Sequence, residues 1–359
     1  MSRQAQSQQQ VGFAIGTTAT APTYLIPARS YGHEESEVRD TIKATFGSRD
    51  NTYAHSLVGY EDTTITITAP MEEKIYPILL ASGFDFGTGT GTAPNLTNIL
   101  NPRNEDDGDP TVEGRKLTFF VKDGANTTIK YTGAILSEGT HTVENNQVNY
   151  EFTFVGGSKE VLTGADLTTA NTGFATLKSD LETALETLAT SLSREVSADD
   201  YYHFVRPGQV TVDYSDDYDA SVWTVVNANF GFTFGFNNNV TGDPTSLSAS
   251  GLYVQPNKYL GQFTSTFEFT EQTTDDDLQT RADNTTPTSF RFKIERTADR
   301  NFEFKFSPSN ITQVASEKVG DSDDAVMQTI SAESALNTIT YPSLRVTVKS
   351  DLDLPDLYS

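Results

Sequence analysis

The chain has 359 residues, with 25 Lys plus Arg against 49 Asp plus Glu, a net charge of −24, and no Cys. Such a surface repels nucleic acid and anionic membranes, which argues against a sequence-reading DNA-binding role. The missing Cys excludes a disulfide framework and any Cys-based metal site or nucleophile.

The hydrophobic fraction is only 36%, but 22 Phe and 15 Tyr raise the area each buried residue covers. With abundant Thr and few Leu-rich runs, this favours an all-β protein with a few helices. Residues 1–30 are polar, then small and apolar, and read as a flexible N-terminal arm. They lack the apolar centre of a signal peptide, and no run approaches the ~18 residues that span a bilayer, so a soluble product made in the cytoplasm is expected.

Leu57 to Ala69 alternates Ile65 and Ile67 with Thr64, Thr66 and Thr68, the mark of a half-buried strand. A short helix is predicted over Met71–Ser82, with Glu72 and Glu73 in its first turn and Gly83 stopping it. Pro77 requires that helix to kink or to begin late. Phe84 to Gly114 is rich in Gly and Pro, carries the acidic run Asn104, Glu105, Asp106, Asp107 and Asp109, and reads as a long contact loop. The run lacks the spacing and terminal Glu of a calcium loop, so solvated acids are its default reading.

Lys116–Lys122, Thr128–Ile135 and Asn149–Val155 are read as further strands, with turns at Gly124–Asn126 and Glu138–Gly139. Phe174 to Leu192 places Phe174, Leu177, Leu181, Leu185, Leu188 and Leu192 on one helical stripe, which packing on a sheet face would cover. The second half returns to strands over Gln209–Tyr214, Val222–Val240, Lys258–Thr270, Thr288–Arg296, Asn301–Ser307, Ile311–Ser316 and Ser343–Lys349, with a short helix at Val326–Leu336. Each half thus holds two-faced strands and a short helix. The division expected is the arm 1–30, a first β-domain over 31–195 with the loop 84–114 and the helix 174–192, and a second over 196–359.

Within Ala228–Val240, Phe230, Phe232, Phe234 and Phe236 occupy one phase and Asn229, Gly231, Thr233 and Gly235 the other. The Phe face must be covered, since burying each is worth ~1.5–3 kcal/mol. The small, uncharged face fits close approach to another surface or a smooth lumen wall.

Catalytic signals are weak. His33, His55, His141 and His203 share no metal-ligand spacing, and no nucleophile elbow, P-loop or dinucleotide fingerprint occurs. The paired acids Asp216/Asp217, Asp275–Asp277 and Asp323/Asp324 cluster in loops, which suits hydration better than acid–base chemistry, although a glycosidase pair is a property of fold rather than spacing. Trp223 with Tyr201, Tyr202, Tyr214 and Tyr218 reads as core or interface rather than a sugar platform. No catalytic residue, cofactor or metal is assigned.

The order of Lys43–Gly47, the strand and helix ending at Gly83, Lys130–Ile135, Phe152–Gly156, Asn227–Asn239, Tyr253–Gly261 and Gln262–Glu271 resembles the tail tube (major tail) proteins of long-tailed viruses of bacteria and archaea. The likeness spans most of residues 40–350 and lies in element order and loose local patterns. It implies tandem β-sandwich domains whose strands join those of neighbours into a barrel around a lumen. Rings of such chains, trimers that mimic hexamers, stack into a tube through which viral DNA passes at ejection. Implied partners are further copies of the chain, tape-measure, terminator and tail-tip proteins, and DNA that passes without specific binding, with no membrane insertion. The loop Phe84–Gly114, with its acidic run 104–109, and residues 1–30 are then candidates for inter-ring locks, and Asn229, Gly231, Thr233 and Gly235 for a lumen-facing or subunit-contact strand. The charge excess points to a salt-loving host. A carbohydrate- or receptor-binding sandwich, a glycoside hydrolase and a capsid decoration protein are the competing readings.

Overall fold

A computed structural model describes residues 9–43, 54–86, 89–92, 95–102, 115–124, 126–144, 147–156, 158–191, 205, 207–226, 231–238, 241–243, 257–259, 263–273, 277–318, 326–334 and 342–358. The first half holds β1 (Gln9–Ile15), β2 (Tyr24–Ile26), β3 (Ser30–Lys43), β4 (Ala54–Pro70) and helix α1 (Tyr76–Ala81). It continues with β5 (Asp85–Phe86), β6 (Thr90–Thr92), β7 (Asn95–Asn101), β8 (Leu117–Asp123), β9 (Thr128–Glu144), β10 (Gln147–Val155), β11 (Ser158–Val161) and α2 (Gly164–Ser191). The second half runs β12 (Val210–Ser215), β13 (Thr224–Val226), β14 (Gly231–Asn237), β15 (Thr241–Asp243), β16 (Asn257–Tyr259), β17 (Thr264–Thr273) and α3 (Asp277–Asp283). It ends with β18 (Thr288–Thr297), β19 (Arg300–Lys318), β20 (Val326–Ser334), β21 (Leu344–Ser350) and α4 (Leu354–Leu357).

The protein is mostly β: among the described residues 19 strands form one connected antiparallel sheet, not closed into a barrel, and β15 pairs with β16 separately. The sheet has three ladders. The longest runs β3–β4–β10–β9–β14–β17–β20–β19. A second runs β13–β12–β18–β19–β21–β7, with β5 and β6 also paired to β7, and a third β2–β1–β8–β9–β11. Strands β9 and β19 each belong to two ladders, so they are the corners at which the sheet folds onto itself.

Folding over at these corners buries the aromatic phase of the strands between layers. Phe234 of β14 meets Phe304 at 4.5 Å and Phe292 at 5.5 Å, and Phe267 of β17 meets Phe290 at 4.6 Å. On the other side Phe119 of β8 packs on Phe154 of β10 at 4.7 Å. Helix α2 covers the far face of the third ladder through Ala170 and Phe174, which bury Ala14, Phe120 and Leu162.

The corner in β9 has a backbone cause. Leu117 pairs with Ala134 but Thr118 pairs with Thr132, so Gly133 is an extra residue, and it sits at φ +87. A bulge with glycine in the left-handed region bends a strand. A Cβ at Gly133 would meet nothing closer than 3.8 Å, so the cost of a side chain there is conformational rather than steric. Gly133→Ala is expected to lower the unfolding free energy by roughly 1–2 kcal/mol in urea titration. An unchanged midpoint would show that the corner does not need this conformation.

Several expectations are corrected. Residues 9–15 and 24–26 of the expected arm are strands of the sheet, with Phe13 fully buried; a period-two pair of Val11 and Phe13 outweighs the polar composition around it. The loop 84–114 contains β5, β6 and β7, because Leu96, Asn98 and Leu100 alternate inward and β7 adds to β21. The helix expected at Val326–Leu336 is β20: between β17 and β19, its residues Gln328, Ile330 and Ala332 are buried at period two. The turn expected at Glu138–Gly139 lies in mid-β9. A Cβ on Gly139 would come within 2.5 Å of the Phe236 ring and 2.9 Å of Phe152, so this glycine makes room for aromatics rather than for a turn. The first short helix begins late, at Tyr76, with Pro77 in its opening turn, and α2 starts at Gly164, ten residues ahead of the expected Phe174.

The same pairings occur twice. In the first half β8 hairpins into β9, β9 into β10, and β10 pairs with β4, which pairs with β3. In the second half β18, β19, β20, β17 and β14 repeat this order. The flanking strands correspond as well: β1 and β11 flank β8 and β9 as β12 and β21 flank β18 and β19. Even the irregularities match. Ser137 is skipped between Leu136↔Phe154 and Glu138↔Thr153, and Thr312 between Ile311↔Ala332 and Gln313↔Ser331.

Candidate assembly surface

The longest ladder has one face in the core and one facing outward. Alternation along each strand decides which residues lie outward. They are Thr64, Thr66 and Thr68 on β4, Glu151 and Thr153 on β10, and Glu138, Thr140 and Thr142 on β9. The face continues over Thr233, Gly235 and Asn237 on β14, Thr266, Glu268 and Thr270 on β17, and Thr329, Ser331 and Glu333 on β20. None of these is Lys or Arg. Their side chains bond to one another across strands: Thr68 donates to Glu151 at 3.1 Å, Asn237 to Glu138 at 3.1 Å and Ser331 to Glu268 at 3.0 Å, and the Thr270 and Thr329 hydroxyls lie 3.1 Å apart.

The other two ladders do carry basic residues, Lys122, Lys130 and Lys159 on the third and the arginines and lysines named next on the second. Arg291 donates to the buried carboxylate of Asp213 at 2.9 Å, approaches Glu303 at 3.7 Å and lies over the Trp223 ring at 4.8 Å. Lys293 pairs with Glu295, and Arg345 lies over Tyr218. Trp223 donates to Ala220 O at 2.9 Å, and Tyr214 and Tyr218 are buried, so these aromatics are structural and form no open platform. Tyr201 and Tyr202 lie outside the described residues.

The two halves meet at two strand pairs, β21 with β7 and β14 with β9, the second running from Thr233↔Thr142 to Asn237↔Glu138. Beneath the β9–β14 junction His141 is fully buried and stacked on Phe234, with ring centroids 4.0 Å apart. Its Nδ1 lies 3.2 Å from Phe234 O and its Nε2 2.7 Å from Tyr76 Oη. Because a carbonyl only accepts, Nδ1 carries the proton and Nε2 accepts from the tyrosine hydroxyl. Burial holds the imidazole pKa down at about 3, so the ring is neutral, and the Phe234 carbonyl only partly offsets this. Glu72, also fully buried, accepts from the backbone N–H groups of Lys74, Ile75 and Tyr76, each at 2.6 Å, and so orders the chain entering α1. Burial raises its pKa to about 7 against those donors, with the neighbouring Glu73 adding to the rise.

Of the residues singled out in the sequence, Thr233 and Gly235 lie half-buried on the outward face of β14, opposite its Phe side, and Gly231 opens the strand. A Cβ on Gly235 would meet Gly139 O at 2.9 Å, so the close passage of β9 requires glycine there. Asn229 and the acidic run Asn104, Glu105, Asp106, Asp107 and Asp109 lie outside the described residues. Sequence reasoning missed two further features, the outer edges of β3 and of β19. Among the described residues no strand pairs with the second edge of β3 or with that of β19 beyond Ser309. The signal available was length, since β3 and β19 are 14 and 19 residues long.

No protein-family model matches the chain, and no curated protein matches it. Among solved structures, a chain of the virion of a native gene transfer agent particle overlaps 36% of this chain and 93% of its own, at 13% identity and a TM-score of 0.27. A chain of the sheath–tube complex of an extracellular contractile injection system in its extended state covers 45% and 91%, at 12% identity and a TM-score of 0.26. A chain of the tube-terminating cap of an anti-feeding prophage covers 46% and 93%, at 10% identity and a TM-score of 0.26. Overlaps at these scores carry no inference about what this chain does.

Proposed function

We propose that this chain is a structural, non-catalytic subunit of a viral tail tube, built as two tandem tube-like β units whose copies join into rings that stack around a lumen. The observation that carries this reading is the β9–β14 junction, where the sheet of one half continues without interruption into the sheet of the other. A unit that already extends its ladder by adding a second like unit is built to be extended again. The repeated order of pairings gives each half the same set of strands to do it with.

The outward face of that ladder fits the wall of the lumen. Thr, Ser and Glu in bonded pairs offer a passing polyanion no cation to hold it, whereas phosphate contacts with Lys and Arg are what make nucleic acid stick. Thr233 and Gly235 belong to that wall in this reading, and the acids at 104–109 to contacts between rings. A trimer with six units per ring, DNA passage at ejection, a virion location after assembly in the host cytoplasm, a salt-loving host, and tape-measure, terminator and tail-tip partners complete the proposal.

Negative-stain microscopy and sedimentation of the purified full chain, over a wide range of protein and salt concentration, test it. Rings or tubes with an open centre are expected. Monomers under every condition would sink the reading.

A further inference from the structure

We infer that copies of this chain join head to tail by antiparallel pairing of β3 in one copy with the C-terminal part of β19 in the next, with His33 opposite Ser316 of the next copy, Glu34 opposite its Ala315 and Glu35 opposite its Val314. The inference rests on the assembly reading above and specifies its seam.

The register follows from matching the two halves rung by rung. Counted from the skipped residues Ser137 and Thr312, Gly139 faces Phe152 and Val314 faces Ile330. Phe152 faces Ile67 and Ile330 faces Phe269; Ile67 faces Tyr31 and Phe269 faces Phe232. Position 314 of β19 therefore corresponds to 139 of β9, and position 31 of β3 to 232 of β14. Inside the chain, β9 and β14 pair as Gly139↔Phe236, Thr140↔Gly235 and His141↔Phe234. Carrying that pairing to the corresponding edges puts Val314 against Glu35, Ala315 against Glu34 and Ser316 against His33.

Three further observations support the seam. The two edges stand at opposite ends of one ladder, so the contact is heterologous, the kind that closes into a ring or continues as a helix. Thr312, Gln313 and Ala315 are exposed, and no charge or proline interrupts β19 between Ile311 and Ser316. A long uncharged edge like that of β19 is a standing template for another strand; the β3 edge carries Glu34, Glu35 and Glu37, which the uncharged Gln313 to Ser316 stretch would meet without like-charge repulsion.

The chain's lack of Cys makes disulfide trapping clean. Two double variants, Glu34→Cys with Ala315→Cys and Glu35→Cys with Val314→Cys, sample the two alternating kinds of antiparallel pair, both with Cα atoms close enough for a disulfide. Oxidation of the assembled protein is expected to give a ladder on non-reducing gels that ends at the ring size. The single variants are expected to stay uncrosslinked, and a mixture of Glu34→Cys with Ala315→Cys chains to stop at dimers. The pair Glu35→Cys with Lys318→Cys is four residues out of register, ~13 Å along the strand, and is expected to give none. Assemblies visible by microscopy that crosslink only out of register, or not at all, would overturn the seam while leaving the assembly reading intact. Absence of assembly under every condition would remove both.

Discussion

Truncating Phe234 to alanine is expected to lower the unfolding free energy by about 3–5 kcal/mol, a large share of the ~5–15 kcal/mol of a typical domain. Phe234 is 1% exposed and stands where both halves and two layers of sheet converge. It stacks on His141 of β9 and packs against Phe292 of β18 and against Phe304 and Phe306 of β19. Little of the resulting cavity can collapse, because its walls are strands held in register on both sides. The companion variant Thr233→Ala, on the outward face of the same strand, is expected to stay within about 0.5 kcal/mol. Urea titrations of the two variants check the contrast. Equal, small losses from both would mean that the Phe side of β14 is not the core face.

The second large effect is on pH dependence. His141 has a folded pKa of about 3 against an ordinary 6.5 because burial disfavours its charged form. The unfolded chain therefore binds a proton that the folded chain refuses between those values. The contribution of His141 is complete above pH 6.5 and is lost as pH falls, at up to ~1.4 kcal/mol per unit. Glu72 acts in the opposite sense. With a folded pKa of about 7 against an ordinary 4.5, it holds its proton in the folded state, so its contribution is complete below pH 4.5 and is lost as pH rises toward 7. Between pH 4.5 and 6.5 the two slopes offset each other.

Urea midpoints measured from pH 4.5 to 7.5 separate them. The native protein is expected to give a shallow profile over that offset range. His141→Gln removes the acid-side loss and leaves stability falling with rising pH, whereas Glu72→Gln leaves the acid-side loss unopposed. Profiles of the same shape in all three proteins would show that neither group is held in the stated protonation state. Because shape rather than height is compared, a uniform destabilisation of either variant does not disturb the test.

Strands with strong period-two patterns were legible from the residues themselves. Phe290, Phe292 and Ile294 against Arg291 and Lys293, and Leu344, Val346 and Val348 against Arg345 and Lys349, come out as expected, each with its apolar phase buried. The misreadings share one cause. At β20, at β7 and at Gly139 of β9, local composition favoured helix, loop or turn, and pairing with distant strands overrode it. For β1 the same holds: nothing near Val11 and Phe13 announces the partner β8, some hundred residues along. The candidate surface was half legible. The small, uncharged phase of β14 is plain in Gly231, Thr233 and Gly235, but its extension over β4, β10, β9, β17 and β20 is visible only once those strands are side by side.

By itself, then, the sequence determined the all-β class, the two-faced strands, the acidic surface and the absence of Cys chemistry, because alternation and composition are local properties of a chain. Only the tertiary structure decided which strands are neighbours, that β9 and β19 turn the corners, that the Lys-free, Arg-free phases align into one face, and that β3 and β19 end the ladder with their outer edges unpaired by any described strand. The physical reason is that register and strand order are set by which apolar faces can be buried against each other at long range. No stretch of sequence read alone contains that information.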